Sequence, residues 1–421
     1  MRVTSKMMDR RQFLKRAAML SASGIVMLSG HGWAAKIAGD SGARKRLIVI
    51  FLRGAVDGLN VVVPHGESVY YDARPTIAIG RSASAGAGVL DLDGHFGLHP
   101  ALAPLMPLWR DGTLAFVHAC GSPDSSRSHF DAQEYMESGT PGIRTTPDGW
   151  MNRLLAAMPG RHDATEAISL GPTLPRILSG RMPVANVPTG RAANRPMPLD
   201  RPRIETAFDR LYGGADPLSR AYQEGQAARK KLLAEIAQDM KIADAGAPQP
   251  YGFSDDTERL AQLIARDPSI RLAFMALGGW DTHINQGAAN GQLANHLRPL
   301  AEGVASLAKG LGPAWGDTVV ITMSEFGRTV RENGNGGTDH GHGNVMWVAG
   351  GNIRGRQVYG LWPGLSDSEL YQGRDLAVTT DFRAVVASLL ERHLGLDHAK
   401  LGQVFPGFSP ATADLRAIVR A

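Results

Sequence analysis

Cysteine is nearly absent from this 421-residue chain, Cys120 being the only one. An intramolecular disulfide is therefore excluded, and a fold working outside the cytoplasm has to rest on its core or on metal ions. A membrane-length hydrophobic run is also missing: the apolar stretch over residues 17–29 falls short of the roughly 20 residues needed to cross a bilayer. Nor is there a large excess of one charge. The formal net charge is +5, part of it carried by Arg2, Lys6, Arg10, Arg11, Lys15 and Arg16, so no nucleic-acid partner is inferred.

What remains is ordinary globular material, with 43% hydrophobic and 20% charged residues. Fifty glycines and twenty-five prolines imply many loops, and loops carry chemistry more often than cores do. The segment "MDRRQFLKRAAMLSASGIVMLSGHGWAAKIAG" pairs Arg10 with Arg11, then runs through small and apolar residues to Ala34 and Ala35. That layout predicts a twin-arginine export signal over residues 1–35 and a mature chain over 36–421, with no stable membrane span. The expected location is periplasmic or extracellular, with the twin-arginine translocase as partner during export.

Five short, continuous apolar runs read as buried strands of a parallel sheet: "RLIVIFLRG" (46–54), "TLAFVHAC" (113–120), "IRLAFMALG" (270–278), "DTVVITMSEFG" (317–327) and "GNVMWVAGG" (343–351). Between them lie helix-length segments. In "HLRPLAEGVASLAKGLG" (296–312), Leu297, Leu300, Val304, Leu307 and Leu311 fall on one face. The alternation predicts an α/β class fold, a doubly wound, mostly parallel sheet between helices. A Pro- and Arg-rich stretch followed by a charged helical pattern predicts a helical insertion over about 190–265, whose end, 246–267, is a linker leading into an amphipathic helix.

Ligands of open α/β sheets sit outside the carboxyl ends of the strands. Arg53 and Asp57 follow the first run, and Ser125, Ser126, Ser128 and His129 follow the second. Asp281 and His283 follow the third; Glu325 and Arg328 follow the fourth; Asp339, His340 and His342 just precede the fifth. Carboxylates and imidazoles recurring at such positions are the ligand types of a zinc, manganese or similar centre. In "GWDTH" the Asp-x-His spacing puts both side chains on one side of an extended segment. Taken singly each has a plainer reading. Asp57 caps a turn, Asp281 with His283 forms a loop pair, "TDHGHG" is a polar loop, Glu325 pairs with Arg328, and Ser126 or Ser128 caps a helix.

The order of these residues resembles the alkaline phosphatase superfamily, which includes sulfatases and cofactor-independent phosphoglycerate mutases. The leader together with "FLRGAVDGLNVVVP", "RSHFDAQEYMESG", "GWDTH", "SEFGRT" and "GHGN" resembles one bacterial branch, domain-of-unknown-function family 1501, over nearly all of the mature chain. The resemblance implies an alkaline-phosphatase-like fold. It makes Asp57 the first-strand metal carboxylate, Asp281 and His283 the later pair with a gap of two in place of four, Glu325 the Asp of an Asp-His-Gly strand end, and His342 the last metal histidine. Phe326 stands where that strand end has its histidine, and Asp339 and His340 lie close enough to substitute. A Ser or Thr at a helix start is the superfamily nucleophile, which points to Ser128, then Ser126, with His129 alongside. Arg53 or Arg328 would orient the anionic group.

The expected protein is an exported hydrolase of phosphate or sulfate esters that uses a divalent ion (zinc, manganese or calcium) and acts on a small-molecule or polysaccharide ester. Two alternatives stand beside it. One is a catalytically silent, metal-stabilised binding or scaffolding protein of the cell envelope; the other is a lyase or transferase acting on envelope polysaccharide.

Overall fold

The computed structural model describes residues 44–81, 88–160, 162–171, 173–188, 214, 219–220, 223, 252–409 and 414–420. The leader expected over 1–35 and most of the insertion expected over about 190–265 lie outside the described residues. Within them, no helix is long and apolar enough to cross a membrane.

Twelve strands are described: β1 (Arg46–Leu52), β2 (Val62–Val63), β3 (Leu90–Asp91), β4 (Gly97–Leu98), β5 (Leu114–Gly121), β6 (Ala167–Leu170), β7 (Ala185–Val187), β8 (Leu272–Leu277), β9 (Thr318–Ser324), β10 (Asn344–Gly350), β11 (Val358–Tyr359) and β12 (Thr380–Asp381). The main sheet runs β11-β5-β10-β9-β1-β8-β6-β7, with β12 also on β5, while β2, β4 and β3 form a small separate sheet. All five apolar runs are strands of the main sheet.

Their near-continuous hydrophobicity follows from being covered on both faces. In β1, Ile48, Ile50 and Leu52 pack into one core with the helices Phe253–Arg266 and Gln292–Leu311. Leu47, Val49 and Phe51 point the other way, into a second core with Trp150–Ala157, Phe382–Arg392 and His398–Val404. A strand with alternate residues committed to two cores has no polar face. The predicted stripe Leu297, Leu300, Val304, Leu307 and Leu311 is buried in the first core, each leucine stabilising by about 1.5–3 kcal/mol. Gly303 on the same helix has no room for a side chain, because the Phe253 ring lies 2.3 Å from where a Cβ would sit. That close approach locks the amphipathic helix at the end of the expected insertion onto its neighbour.

One expectation is corrected. β10 is antiparallel to both β9 and β5, whereas the run "GNVMWVAGG" is read from sequence as parallel. A parallel return needs a crossover, usually a helix. The link between β9 and β10 is a glycine-rich loop that stays at one end of the sheet, so the chain re-enters in the opposite direction. The sequence prior to β10 thereby shares a rim with the carboxyl ends of β1, β5, β8 and β9.

Several buried histidines are held neutral. His118 Nε2–H donates to the Val62 carbonyl (2.9 Å) while Nδ1 accepts the Ala119 amide (3.0 Å). His99 repeats the pattern between the Ala288 carbonyl and the Ala101 amide. Burial brings each imidazole down to about 4, and His393, bonded to the Arg46 carbonyl, is likewise brought down to about 4 by burial. Each is depressed in the folded state, so the unfolded chain takes up protons first as the pH falls. Their contribution is complete above about pH 6.5 and is lost towards pH 4, each with a slope of up to about 1.4 kcal/mol per pH unit. Denaturant unfolding between pH 7 and 4.5 should show this decline; a flat stability curve over that range would contradict it.

Candidate metal centre

The shared rim gathers side chains from three connections, those after β5, after β8 and between β9 and β10. His129 opens the helix His129–Ser138 after β5, Asp281 and His283 follow β8, and Glu325 follows β9. His340 arrives just before the antiparallel β10. The loop after β1 closes the floor, and Gly54 is required there: its φ is +115°, and a Cβ would lie 2.8 Å from the Asp281 amide.

Three imidazoles and one carboxylate converge at this point. Nε2 of His340 lies 3.0 Å from Nε2 of His129 and 3.0 Å from Nε2 of His283. Asp281 Oδ1 lies 3.0 Å from His283 Nε2, 3.4 Å from His340 Nε2 and 3.6 Å from His129 Nε2. Donors around a tetrahedral zinc, about 2.0–2.1 Å from the ion, sit about 3.3 Å apart, and the five distances bracket that spacing. His129, Asp281 and His340 are the group whose ligand atoms all fall within 4.8 Å of one another. His283 joins through its contacts to the latter two.

The outer nitrogens decide what the inner ones can do. His129 Nδ1–H donates to Glu325 Oε1 (2.8 Å), His283 Nδ1–H to Asp339 Oδ1 (3.2 Å), and His340 Nδ1–H to the Arg127 carbonyl (2.9 Å). A neutral imidazole has one N–H. With Nδ1 committed outward in all three rings, neutral imidazoles would turn the Nε2 lone pair of His340 towards those of His129 and of His283, beside a carboxylate. Neutral rings so placed repel unless a proton or a metal ion lies between them, and an outward carboxylate or carbonyl on each ring is the usual support of a metal-binding histidine. The residues present therefore fit a divalent ion.

The surrounding charges agree. The hydrogen bond from His129 to Glu325 is the main cause that raises the imidazole above its ordinary pKa, whereas burial lowers His340. Burial alone would raise the carboxyls of Asp281 and Glu325. Arg328 outweighs it for the first, and the bonds from His129, Gln133 and the Gly54 amide outweigh it for the second, so both are held low. The bond from Asn333 lowers Asp339. Phe326, buried where the resemblance would have a histidine, stacks on His129 (ring centroids 5.0 Å) and leans on His340 (5.1 Å). It walls the site instead of contributing a ligand.

Other expected site residues stand elsewhere. Asp57 is removed from the ligand set, because its oxygens are taken by Arg74 Nη1 (2.5 Å) and Nη2 (3.0 Å) and by Gln286 Nε2 (2.7 Å), all fully buried. A dication there would have to displace a guanidinium that holds both oxygens, whereas Arg328 takes only Oδ1 of Asp281. His342 is set apart too: it packs on Tyr371 (4.6 Å) and feels Asp375, Arg127 and Asp124. Arg328 is buried with its N–H groups spent on the carbonyls of Ala55, Thr338, Gly54 and Trp280 and on Asp281. It braces the loops, and its burial keeps it from a substrate. Arg53 is bonded to Gln133 and Glu137.

The Ser128 hydroxyl caps the helix by accepting the Asp131 amide, and the Ser126 hydroxyl accepts the Ser128 amide. Among the described residues neither hydroxyl bonds to the cluster. Arg74, Gln286, Arg127, Arg374 and Asp375 go unnoticed in the sequence. An acid inside the apolar stretch "AVDGLNVVVP" does signal a buried cation partner, and Arg74 is that partner. A backbone carbonyl such as that of Arg127 leaves no signal.

An α/β fold with a candidate metal centre on its strand-end rim is the class these observations define. The chain belongs to the family described as "Protein of unknown function (DUF1501)", whose model matches residues 44–405. No curated protein matches the chain in sequence. Among solved structures it is similar to the C-terminal periplasmic domain of EcEptC from Escherichia coli, with 12% identity, TM-score 0.38, and 88% of this chain and 89% of that chain covered. It is also similar to a protein in the alkaline phosphatase superfamily from Vibrio parahaemolyticus (12%, TM-score 0.33, 76% and 63% covered). A third is the lipoteichoic acid synthase LtaP from Listeria monocytogenes (10%, TM-score 0.31, 80% and 74% covered). At these TM-scores the likeness is remote, and the geometry of the centre stands independently of it.

The placement of Asp57 has a direct consequence. Asp57→Ala leaves Arg74 as an unpaired buried charge, which should cost about 3–5 kcal/mol in denaturant unfolding with bound metal unchanged in the folded protein. A variant that folds as stably as the parent but loses its metal would restore Asp57 as a ligand.

Proposed function

We propose that this protein is an exported hydrolase of phosphate or sulfate esters built around one divalent ion held by His129, Asp281, His283 and His340. The observation that carries the proposal is the combination of convergent Nε2 atoms with an open face. The side chains of His129, Asp281, His283 and His340 are 28%, 46%, 37% and 25% exposed. A structural site closes its ligands away from solvent, whereas a catalytic one keeps a position open.

Bound there, a divalent ion supplies Lewis acidity towards an ester oxygen and acidifies a coordinated water. The chain's own groups prepare the site for it. Glu325, Asp339 and the Arg127 carbonyl fix the three ring orientations and make the Nε2 lone pairs more basic. Arg328 holds Asp281 ionised and in place, and Phe326 excludes water from one flank of the His129 ring. The twin-arginine leader and a periplasmic or extracellular location belong to the same reading.

A second reading is favoured by one observation: the hydroxyls of Ser126 and Ser128 serve the loop and the helix cap, so neither joins the cluster among the described residues. On that reading the chain is a metal-stabilised binding or scaffolding protein of the envelope. Aryl phosphate, aryl phosphodiester and aryl sulfate esters, tested with zinc, manganese and calcium, separate the two. The hydrolase reading expects turnover of at least one, reduced by about a hundredfold or more in Asp281→Asn and by about 10–100-fold in Glu325→Gln, which disturbs the site through His129 and the Gly54 loop. Bound metal without turnover of any ester would select the scaffold.

A further inference from the structure

Next to the centre lies a group of charged residues that the hydrolase reading does not use. Asp375 is fully buried and carries two guanidiniums. Arg127 donates to Asp375 Oδ2 from Nε (3.1 Å) and Nη2 (2.5 Å), and Arg374 donates to Oδ1 from Nε (2.9 Å) and to Oδ2 from Nη2 (3.3 Å). Both arginines are also tied to His340. The Arg127 carbonyl accepts from its Nδ1 (2.9 Å), and Arg374 Nη2 donates to its carbonyl (2.7 Å). The pair therefore straddles a proposed metal ligand.

Arg127 and Arg374 both keep unspent donors, and unlike Arg328 neither is buried. Arg127 gives its remaining described bond to Gln372 from Nη2 (2.8 Å). Among the described residues Nη1 of neither arginine has a partner, and the side chains are 30% and 44% exposed. Asp124 accepts the Ser126 amide, and Asp339, which also feels Arg374, accepts from His283 and Asn333.

We infer that Arg127 and Arg374, organised by Asp375, form an oxyanion-binding clamp beside the metal centre that takes a second anionic group of the substrate. Two planar forks fixed on one carboxylate present a preorganised cationic edge that little entropy is lost in using. The inference rests on the hydrolase reading only for the word substrate; the clamp itself is independent of the ion. It narrows the substrate class to esters that carry a further phosphate, sulfate or carboxylate group.

Inorganic phosphate is the probe, titrated calorimetrically into the full chain in an Asp281→Asn background, where the metal centre is impaired and the clamp intact. Saturable binding is expected there, weakened about tenfold by adding Arg374→Gln and again by Arg127→Gln, with Arg374→Lys in between because it keeps charge but loses the fork. Arg374 is exposed enough that its variants test the clamp even if Arg127→Gln fails to fold. No saturable binding in the Asp281→Asn protein, or equal binding with and without Arg374→Gln, overturns the proposal. On an ester that is turned over and carries a second anionic group, Arg374→Gln in the otherwise native chain should raise KM about tenfold with kcat within about threefold, and on the matching ester without that group it should change neither. Phosphate binding without turnover of any ester would remove the hydrolase reading and leave the clamp standing.

Discussion

The site depends on a single electrostatic constraint. Three imidazoles have their Nδ1–H groups drawn outward, by Glu325, Asp339 and the Arg127 carbonyl, so Nε2 of His340 meets Nε2 of His129 and of His283 beside Asp281. Neutral rings placed this way repel unless a proton or a metal ion lies between them. Much of the nearby construction follows from this. Glu325 is buried and receives four hydrogen-bond donors: the Gly54 amide, Gln133, Ser324 and His129. Arg328, itself buried, ties the carbonyls of three loops to Asp281, the one carboxylate among the candidate ligands.

The sheet makes the convergence possible through strand direction. β5, β8 and β9 deliver His129, Asp281, His283 and Glu325 from their carboxyl ends. β10 runs the other way, so the residues before it reach the same rim. Had β10 been parallel, His340 would lie at the opposite end of the sheet. The Asp57–Arg74–Gln286 network stiffens the loop after β1 from beneath, a packing role for a residue whose type and position suggest a ligand.

Much of this was legible in the sequence. The five apolar strands, the Leu297–Leu311 stripe and the clustering of acids and histidines at strand ends all follow from periodicity and from where ligands sit in open α/β sheets. Asp281, His283 and His340 were singled out as ligands and lie together; His129, singled out beside the serines as a catalytic group, lies with them. What sequence could not supply was partner choice. Asp57 and Asp281 are both acids after apolar runs, and only the fold shows that Arg74 takes both oxygens of one, while the other, held by Arg328 at Oδ1 alone, also meets three imidazoles. His340 and His342 sit two residues apart in one loop, yet one turns into the centre and the other packs on Tyr371. Backbone partners such as the Arg127 carbonyl, and the direction of β10, are properties of the folded chain alone.

The most direct test of the central claim is the metal content of the purified protein by elemental mass spectrometry, combined with X-ray absorption at the edge of whatever ion is found. The account predicts about one equivalent of a divalent ion per chain, in a shell of nitrogen and oxygen ligands at about 2.0–2.2 Å with imidazole scattering beyond it. Less than about a tenth of an equivalent, in protein that remains folded after loading with zinc and manganese, would contradict it, as would a shell without imidazole.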